Sequence, residues 1–167
     1  MNFNKDDLQL AAAVGKLMLA RQHKVVTAES CTGGLVSALI TEIAGSSEWF
    51  DRGFVTYSNL SKHQMLNIST QDLLKHGAVS QQIAAMMAEQ ALVNCHANAA
   101  VSITGIAGPG GGSDAKPVGS VWFGWRFSDH EGQHTHTEYQ HFSGSRNSIR
   151  MQSVRFALSG IINHYRE

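Results

Sequence analysis

The sequence predicts an α/β fold, a three-layer α/β/α sandwich built around a mixed, partly parallel sheet. Short apolar runs typical of buried strands alternate along the chain with segments whose apolar residues recur every three to four positions. Strands that alternate with helices in this way are typical of parallel sheets. Two strand-like segments near residues 120–142 follow each other closely, so we expect a hairpin that makes part of the sheet antiparallel.

The first half of the chain alternates helix and strand. Residues 5–22 have the period of an amphipathic helix, and a short buried strand is expected over 24–28. A second helix is expected over 33–44, where apolar residues again recur at helical spacing. The next strand is expected over 54–57, and a short helical segment over 60–66 follows it.

Serine residues mark the starts of two helices in the second half. Ser80 precedes a helical pattern that continues to about residue 94, and Ser145 precedes the last helix. A serine hydroxyl in this position accepts a hydrogen bond from an otherwise unpaired backbone N–H. Between these helices we expect a buried strand over 99–103, a glycine-rich loop over 105–119, and strands over 120–127 and 134–142.

Composition favours one ordinary globular domain over residues 1–167. Hydrophobic residues make up 43% of the chain and charged residues 16%, with no repeats or low-complexity stretches. Thirteen basic and thirteen acidic residues balance, and no basic run occurs. Nonspecific binding to nucleic acid or to an anionic membrane is therefore not favoured.

The chain also lacks the sequence marks of export or membrane insertion. Two cysteines cannot build a disulfide framework, which indicates a reducing compartment. The first residues are acidic rather than apolar, unlike a signal peptide, and no apolar run approaches the roughly 18 residues that span a bilayer. We therefore expect a cytoplasmic protein that does not bind membranes.

Residues 25–34 (VVTAESCTGG) are the most informative segment. They read as a buried strand that ends in a polar cluster and continues into a helix through two glycines. Unpaired N–H groups at a helix start attract either a bound phosphate or the oxyanion of acyl transfer. The segment is therefore either a phosphate cradle or a nucleophile with its oxyanion hole, with Ser30 and Cys31 as candidate nucleophiles.

Each candidate in this chemistry has a structural alternative. Ser30 could simply cap a helix, and Cys31 could be a small buried residue. A serine nucleophile needs a base, and no histidine is evidently paired with an acid near a strand end. A desolvated lysine can replace histidine, and Lys62 lies one turn into a helix that follows a strand. The alternative for Lys62 is an ordinary surface lysine.

Three predicted strands end in polar or glycine-rich sequence, at residues 29–34, 57–62 and 104–112. If these strands are parallel neighbours, the three segments converge on one crevice, because sites in open α/β sheets form at the carboxyl ends of strands. The loop after the third strand could cradle a phosphate or a flat ring. It lacks the P-loop pattern, because Lys116 is followed by proline, and no helix follows as a dinucleotide site requires.

Two further clusters carry charge or metal-ligating groups. Arg146 and Arg150 lie one turn apart at a helix start, where they oppose the helix dipole unless an anion binds there. Salt bridges to acidic residues are the alternative. His134, His136 and Glu138 alternate on one strand face, but a solvent-facing polar strand explains them equally well, so we expect no metal site.

Several long motifs, in order, resemble the CinA C-terminal domain family of nicotinamide-nucleotide amidases over essentially the whole chain. The matching segments are TAESCTGG at 27–34, GFVTYSN at 53–59 with Lys62, GAVS at 77–80, ITGIAGPGG at 103–111 and KPVG at 116–119. Many family members carry a second, N-terminal domain, so this chain resembles the stand-alone form. One departure is Ser145, where an acidic residue often precedes the arginine.

The resemblance implies metal-independent and cofactor-free hydrolysis of the carboxamide of nicotinamide mononucleotide, giving nicotinate mononucleotide and ammonia in pyridine nucleotide salvage. It implies Ser30 as nucleophile and Lys62 as general base, with Tyr57 assisting. We further expect the Gly33 and Gly34 amides to form the oxyanion hole and the arginines to hold the phosphate. The expected substrate-binding residues are Glu29, Thr32, Gly33, Gly34, Asn59, Thr104, Gly105, Arg146 and Arg150.

Two alternatives to the serine amidase remain open. One is a catalytically inactive paralogue that binds a nucleotide or phosphate through the same glycine loops, and the other is a cysteine hydrolase that uses Cys31. In each case the partner is a small molecule rather than nucleic acid or a membrane. A small α/β domain with an exposed apolar edge often pairs, so we also expect a homo-oligomer, a dimer or larger.

Overall fold

A computed structural model describes residues 3–129 and 132–166, which form one five-stranded sheet with helices on both faces. The strands are β1 (Val25–Glu29), β2 (Phe50–Val55), β3 (Ala99–Gly105), β4 (Ser120–Asp129) and β5 (Gly132–His141). Their order across the sheet is β2-β1-β3-β4-β5. The β2, β1 and β3 strands run parallel, whereas β4 and β5 are antiparallel additions. The predicted mixed sheet and its hairpin are thus confirmed.

Within the described residues, six helices complete the two outer layers. They are α1 (Lys5–Arg21), α2 (Leu35–Thr41), α3 (Asn59–Leu66), α4 (Thr70–His76), α5 (Gln81–Val93) and α6 (Arg146–His164), with a 3-10 turn at Ser46–Glu48. The α1, α2 and α6 helices contact one another on one face, and α3 and α4 contact α5 on the other. Because strand side chains alternate between faces, Val25 packs in the first layer and Val26 in the second. The three-layer architecture is confirmed.

Side-chain caps fix where the long helices begin. Ser80 accepts a hydrogen bond from the Ile83 amide, and Ser145 accepts one from the Ser148 amide. Both predicted caps are confirmed. The apolar face of α6 is buried in the core through Ile149, Val154, Leu158 and Ile161. Within the described ranges, no helix has the length and apolar content needed to cross a bilayer.

Three local features differ from the pattern-based expectation. The β2 strand starts at Phe50 rather than 54, because polar residues and Gly53 interrupt the apolar pattern of this edge strand. The α2 helix starts at Leu35 rather than 33, because Gly33 and Gly34 adopt φ values of 60° and 93°, outside the helical region. The α4 helix was not predicted, since Leu73 is the one residue that it buries.

The tight contact between α6 and the sheet gives a stability prediction. A Cβ atom at Gly160 would lie 2.3 Å from the Trp125 indole, which is buried and donates to the Ala157 carbonyl. We expect Gly160→Ala to lower the free energy of unfolding by about 1–2 kcal/mol, since overpacking outweighs the gain in helix propensity. Urea denaturation checks this, with Ser159→Ala as control. Equal midpoints for Gly160→Ala and wild type would contradict it.

Candidate active site

The carboxyl ends of the three parallel strands meet at one edge of the sheet, as the sequence predicts. The amide of Thr56, just after β2, donates to the Glu29 carbonyl at 2.8 Å. The amide of Ser30, just after β1, donates to the Ile103 carbonyl of β3 at 2.9 Å. These bonds hold the polar segments that follow the three strands side by side, at the edge of the sheet where the sequence predicts the crevice.

Ser30 and Lys62 are hydrogen-bonded in this crevice. The Lys62 Nζ lies 3.0 Å from the Ser30 Oγ and 2.7 Å from the Thr56 carbonyl oxygen, to which it donates. Lys62 is 1% exposed and Ser30 is 8% exposed. The surface-lysine alternative is therefore wrong. Ser30 is not a helix cap either, because Gly34 occupies the N-cap of α2.

The start of α3 directs the Lys62 side chain into the crevice. Ser58 is its N-cap, and Ser58 and Ser61 exchange hydrogen bonds in a capping box. This fixes the first turn directly after β2. Lys62 is consequently presented to the strand ends rather than to solvent.

Burial changes the acid–base chemistry of Lys62. Desolvation lowers its pKa from 10.5 to about 8, against a smaller opposing effect of Cys31. With a pKa of about 8, roughly a tenth of Lys62 is neutral at pH 7, against roughly one in a few thousand for an ordinary lysine. A neutral amine within hydrogen-bond distance of a hydroxyl can accept its proton.

Cys31 is poorly suited to act as a nucleophile. Burial raises the pKa of its thiol to about 12, so that roughly one molecule in 10⁵ carries a thiolate at pH 7. Reactive cysteines have lowered rather than raised pKa values. The geometry therefore favours a small buried residue at this position over a cysteine hydrolase.

Glu29 caps α2 from the end of β1. Its completely buried carboxylate accepts hydrogen bonds from the amides of Gly34, Val36 and Ser37 at 2.9–3.1 Å and from the Ser37 hydroxyl at 2.8 Å. The N–H groups at this helix start are thus paired with a side chain of the protein itself. Glu29 shapes residues 30–34, which we call the nucleophile turn after its candidate nucleophile Ser30, and presents no surface to a substrate.

The expected oxyanion hole at Gly33 and Gly34 is wrong. The Gly33 amide donates to the Ser30 carbonyl at 3.0 Å, and the Gly34 amide donates to Glu29. Both donors are already used to close the turn. Sequence reasoning missed this because a glutamate five residues before Gly34 gives no local capping pattern.

Tyr57 lies at the mouth of the crevice rather than beside the Ser30–Lys62 pair. It is 61% exposed, and its hydroxyl accepts a hydrogen bond of 2.9 Å from the Arg146 Nη2. The Arg146 Nη1 also donates to the Gly108 carbonyl at 2.8 Å. Arg146 therefore links Tyr57 to the glycine-rich loop across the mouth.

The Arg150 side chain contacts a different segment of the chain from the Arg146 side chain. Its Nη2 donates to the Thr32 carbonyl at 2.7 Å, and its buried Nε has no hydrogen-bond partner among the described residues. Within that part of the chain neither arginine is ion-paired with a carboxylate, so the salt-bridge alternative is wrong. The two guanidinium groups do not form one phosphate clamp, because one contacts the mouth and the other the nucleophile turn.

The remaining candidate residues differ in their solvent exposure. The Thr104 hydroxyl is buried and donates to the Ala78 carbonyl at 2.7 Å, and Thr32 is also buried. Gly33 and Asn59 are exposed, and Gly105 is partly exposed. Thr56 was missed, because it contributes through its carbonyl and no side-chain pattern reveals it.

The histidines of β5 do not form a metal centre. His136 stacks on Trp125 with ring centroids 5.7 Å apart, and its Nε2 lies 3.8 Å from a Glu138 oxygen. Across residues 3–129 and 132–166, no group of three histidine, cysteine, aspartate or glutamate side chains could hold a metal ion. This face of β5 carries polar side chains next to the aromatic residues of β4.

Comparisons with known proteins agree with this architecture. The family model for the CinA C-terminal domain matches residues 7–165. "Nicotinamide-nucleotide amidohydrolase PncC" of Escherichia coli K12 is 51% identical over 151 residues, 90% of each chain, and that of Pseudomonas putida is 41% identical over 153 residues, 92% of this chain and 93% of the relative. The crystal structure of competence/damage inducible protein CihA from Agrobacterium tumefaciens superposes with a TM-score of 0.91 at 43% identity. It covers 100% of this chain and 99% of its own.

The buried carboxylate of Glu29 gives a second stability prediction. In Glu29→Gln an amide NH₂ would replace one oxygen and face backbone N–H donors, so we expect a loss of about 2–4 kcal/mol in unfolding free energy. Glu42→Gln, at the exposed end of α2, is the matched control and should change stability by less than about 0.5 kcal/mol. Equal unfolding midpoints for the two variants would contradict the capping role.

Proposed function

The chain belongs to the CinA C-terminal domain family, and from that premise we propose that it hydrolyses the carboxamide of nicotinamide mononucleotide to nicotinate mononucleotide and ammonia. The single observation that carries the proposal is the 3.0 Å hydrogen bond between the buried Lys62 Nζ and the Ser30 Oγ. Relatives that carry the name nicotinamide-nucleotide amidohydrolase support the choice of substrate.

In the acylation half of the proposed reaction, neutral Lys62 takes the proton of the Ser30 hydroxyl. The Ser30 Oγ forms a bond to the carboxamide carbon, and the carbonyl oxygen takes up negative charge. The Lys62 ammonium then transfers its proton to the amide nitrogen, and the carbon–nitrogen bond breaks to release ammonia. The product of this half is an ester between Ser30 and the nicotinate carbonyl.

In the second half, water hydrolyses this ester. Lys62, neutral again, takes a proton from the water molecule while the water oxygen bonds to the ester carbon. The Ser30 Oγ leaves and recovers its proton from Lys62. Every step uses Ser30, Lys62 and water, so the proposed mechanism requires neither a metal ion nor an organic cofactor.

The arginines have separate roles in the proposal. Arg146 uses two of its five N–H donors on Tyr57 and Gly108, which leaves three for the nucleotide phosphate. Arg150 holds the Thr32 carbonyl and so supports the turn that carries Ser30. Gly33, Asn59 and Gly105 remain candidates for substrate contact at the crevice surface. Glu29, Gly34, Thr32 and Thr104 support the site from within.

The cellular setting follows from the same proposal. Amide hydrolysis of a pyridine mononucleotide belongs to pyridine nucleotide salvage, which takes place in the cytoplasm. We also propose that the chain forms a homo-oligomer, a dimer or larger. Exposed apolar side chains on α3 and α4, namely Leu60, Met65 and Leu74, support this.

The nucleophile assignment gives a direct prediction. We expect Ser30→Ala to reduce ammonia release from nicotinamide mononucleotide by roughly 10³-fold or more, because no acyl-enzyme can form. Lys62→Met, which keeps the length of a buried side chain, should cause a loss of similar size. Cys31→Ala should retain most activity, because its thiol stays protonated.

Two results would contradict this assignment. Loss of activity in Cys31→Ala with retention in Ser30→Ala would establish a cysteine hydrolase. A wild-type protein that binds the nucleotide without releasing ammonia would establish the inactive binding paralogue.

The lowered pKa of Lys62 predicts the pH dependence. The reaction requires the neutral amine, so kcat/KM should rise as pH increases and level off above the Lys62 pKa of about 8. A pH–rate profile from 6 to 10 measures this. A profile that is flat across pH 7–9, or that falls as pH rises through 8, would contradict Lys62 as general base.

A further inference from the structure

We propose that Tyr57 is a binding platform for the positively charged pyridinium ring of the substrate, and that Arg146 fixes this platform while binding the phosphate. The inference rests on the proposed function and deepens it. It assigns substrate selectivity to a tyrosine that the family resemblance associates with assistance to Ser30 and Lys62. Four observations carry it.

The first observation is the position of the phenol group. Tyr57 directly follows Thr56, whose carbonyl holds Lys62, so its backbone lies beside the reacting groups. Its side chain nevertheless makes no hydrogen bond with Ser30 or Lys62, and its hydroxyl is bonded to Arg146. A guanidinium has donors only, so the phenol oxygen accepts this bond. The hydroxyl thus serves as an anchor that orients the ring.

The second observation is an exposed apolar side chain between Tyr57 and the turn that carries Ser30. Val55, two residues before Tyr57, is 42% exposed. It also lies against that turn, because a Cβ atom at Gly34 would come within 3.4 Å of its Cγ2. Exposed apolar side chains beside a candidate site are typical of a surface that another molecule covers.

The third observation is that the carboxylate of Glu29, which directly precedes Ser30, is not available to a cationic ring. This carboxylate is completely buried with both oxygens hydrogen-bonded. In the described residues no ion pair includes Lys62, Arg146 or Arg150. Because the crevice offers basic groups, a pyridinium cation needs a neutral source of attraction. The face of an exposed phenol ring provides it through its quadrupole.

The fourth observation is the unused binding capacity of Arg146. Two of its N–H groups hold Tyr57 and Gly108, and the others are free to bind the phosphate. One residue therefore fixes the ring platform and contacts the opposite end of the substrate. Tyr57 and Arg146 together match a molecule with a cationic ring at one end and a phosphate at the other. A pyridinium mononucleotide is such a molecule.

Binding measurements test the charge selectivity. In the Ser30→Ala background, which prevents turnover, the dissociation constant is measured by calorimetry for nicotinamide mononucleotide and for its reduced form, whose dihydropyridine ring is neutral. We expect the cationic form to bind about tenfold more tightly. This preference should decrease but stay above about threefold in S30A/Y57F, which keeps the ring and loses its hydrogen bond to Arg146, and fall to below about twofold in S30A/Y57L.

Steady-state kinetics separate the platform from a proton-transfer role. We expect Tyr57→Phe to keep kcat within about threefold of wild type, and Tyr57→Leu to raise KM about tenfold with a smaller change in kcat. Tyr139→Leu replaces a partly exposed tyrosine on β5 and is the matched control, with unchanged kinetics expected. Circular dichroism of each variant confirms that the fold is retained.

Three outcomes would overturn the inference. They are a loss of kcat of about 100-fold or more in Tyr57→Phe, equal affinity for the two ring forms in S30A, and an unchanged preference in S30A/Y57L. Failure of the proposed function is a separate result. Wild type would then release no ammonia, whereas the ring preference and its dependence on Tyr57 would still be measured and would still support the platform.

Discussion

The candidate active site depends on one buried hydrogen-bonded group, the Lys62 amine between the Ser30 hydroxyl and the Thr56 carbonyl. Burial lowers the pKa of this amine to about 8, and an amine so placed can take a proton from the adjacent hydroxyl near neutral pH. The arrangement requires β1 and β2 to end side by side, because Ser30 follows β1 whereas Thr56 and Lys62 both follow β2. The β3 strand supports it through the hydrogen bond from the Ser30 amide to the Ile103 carbonyl. The parallel half of the sheet therefore determines the chemistry, and the antiparallel hairpin completes the core around it.

A second constraint concerns which groups near Ser30 are available to bind an anion. The start of a helix after a nucleophile suggests an anion site, yet Glu29 already occupies the N–H groups at the start of α2. The protein thus uses its own buried carboxylate to make the nucleophile turn rigid. Positive charge comes instead from side chains on α6. Arg150 supports the turn through Thr32, and Arg146 spans the mouth between Tyr57 and Gly108.

Local patterns in the sequence were sufficient to predict the fold and to indicate where the candidate site lies. Alternating strands and helices predicted the mixed sheet, and polar strand ends predicted a crevice that contains Ser30 and Lys62. The sequence did not predict contacts between residues that form no local pattern. Glu29 caps a helix that starts six residues later, and the Thr56 carbonyl has no side-chain signal. The direction of Arg150 depends on how α6 packs beside the turn at Thr32, which is set by the tertiary fold.

The central claim, that Ser30 forms an ester with the substrate through Lys62, is tested most directly by trapping that ester. Wild-type protein in steady-state turnover of nicotinamide mononucleotide is quenched in acid, digested, and examined by fragmentation mass spectrometry. We expect a nicotinate mononucleotide acyl group on Ser30. An acyl group on Cys31, or turnover that proceeds with no modification of either residue, would contradict the account.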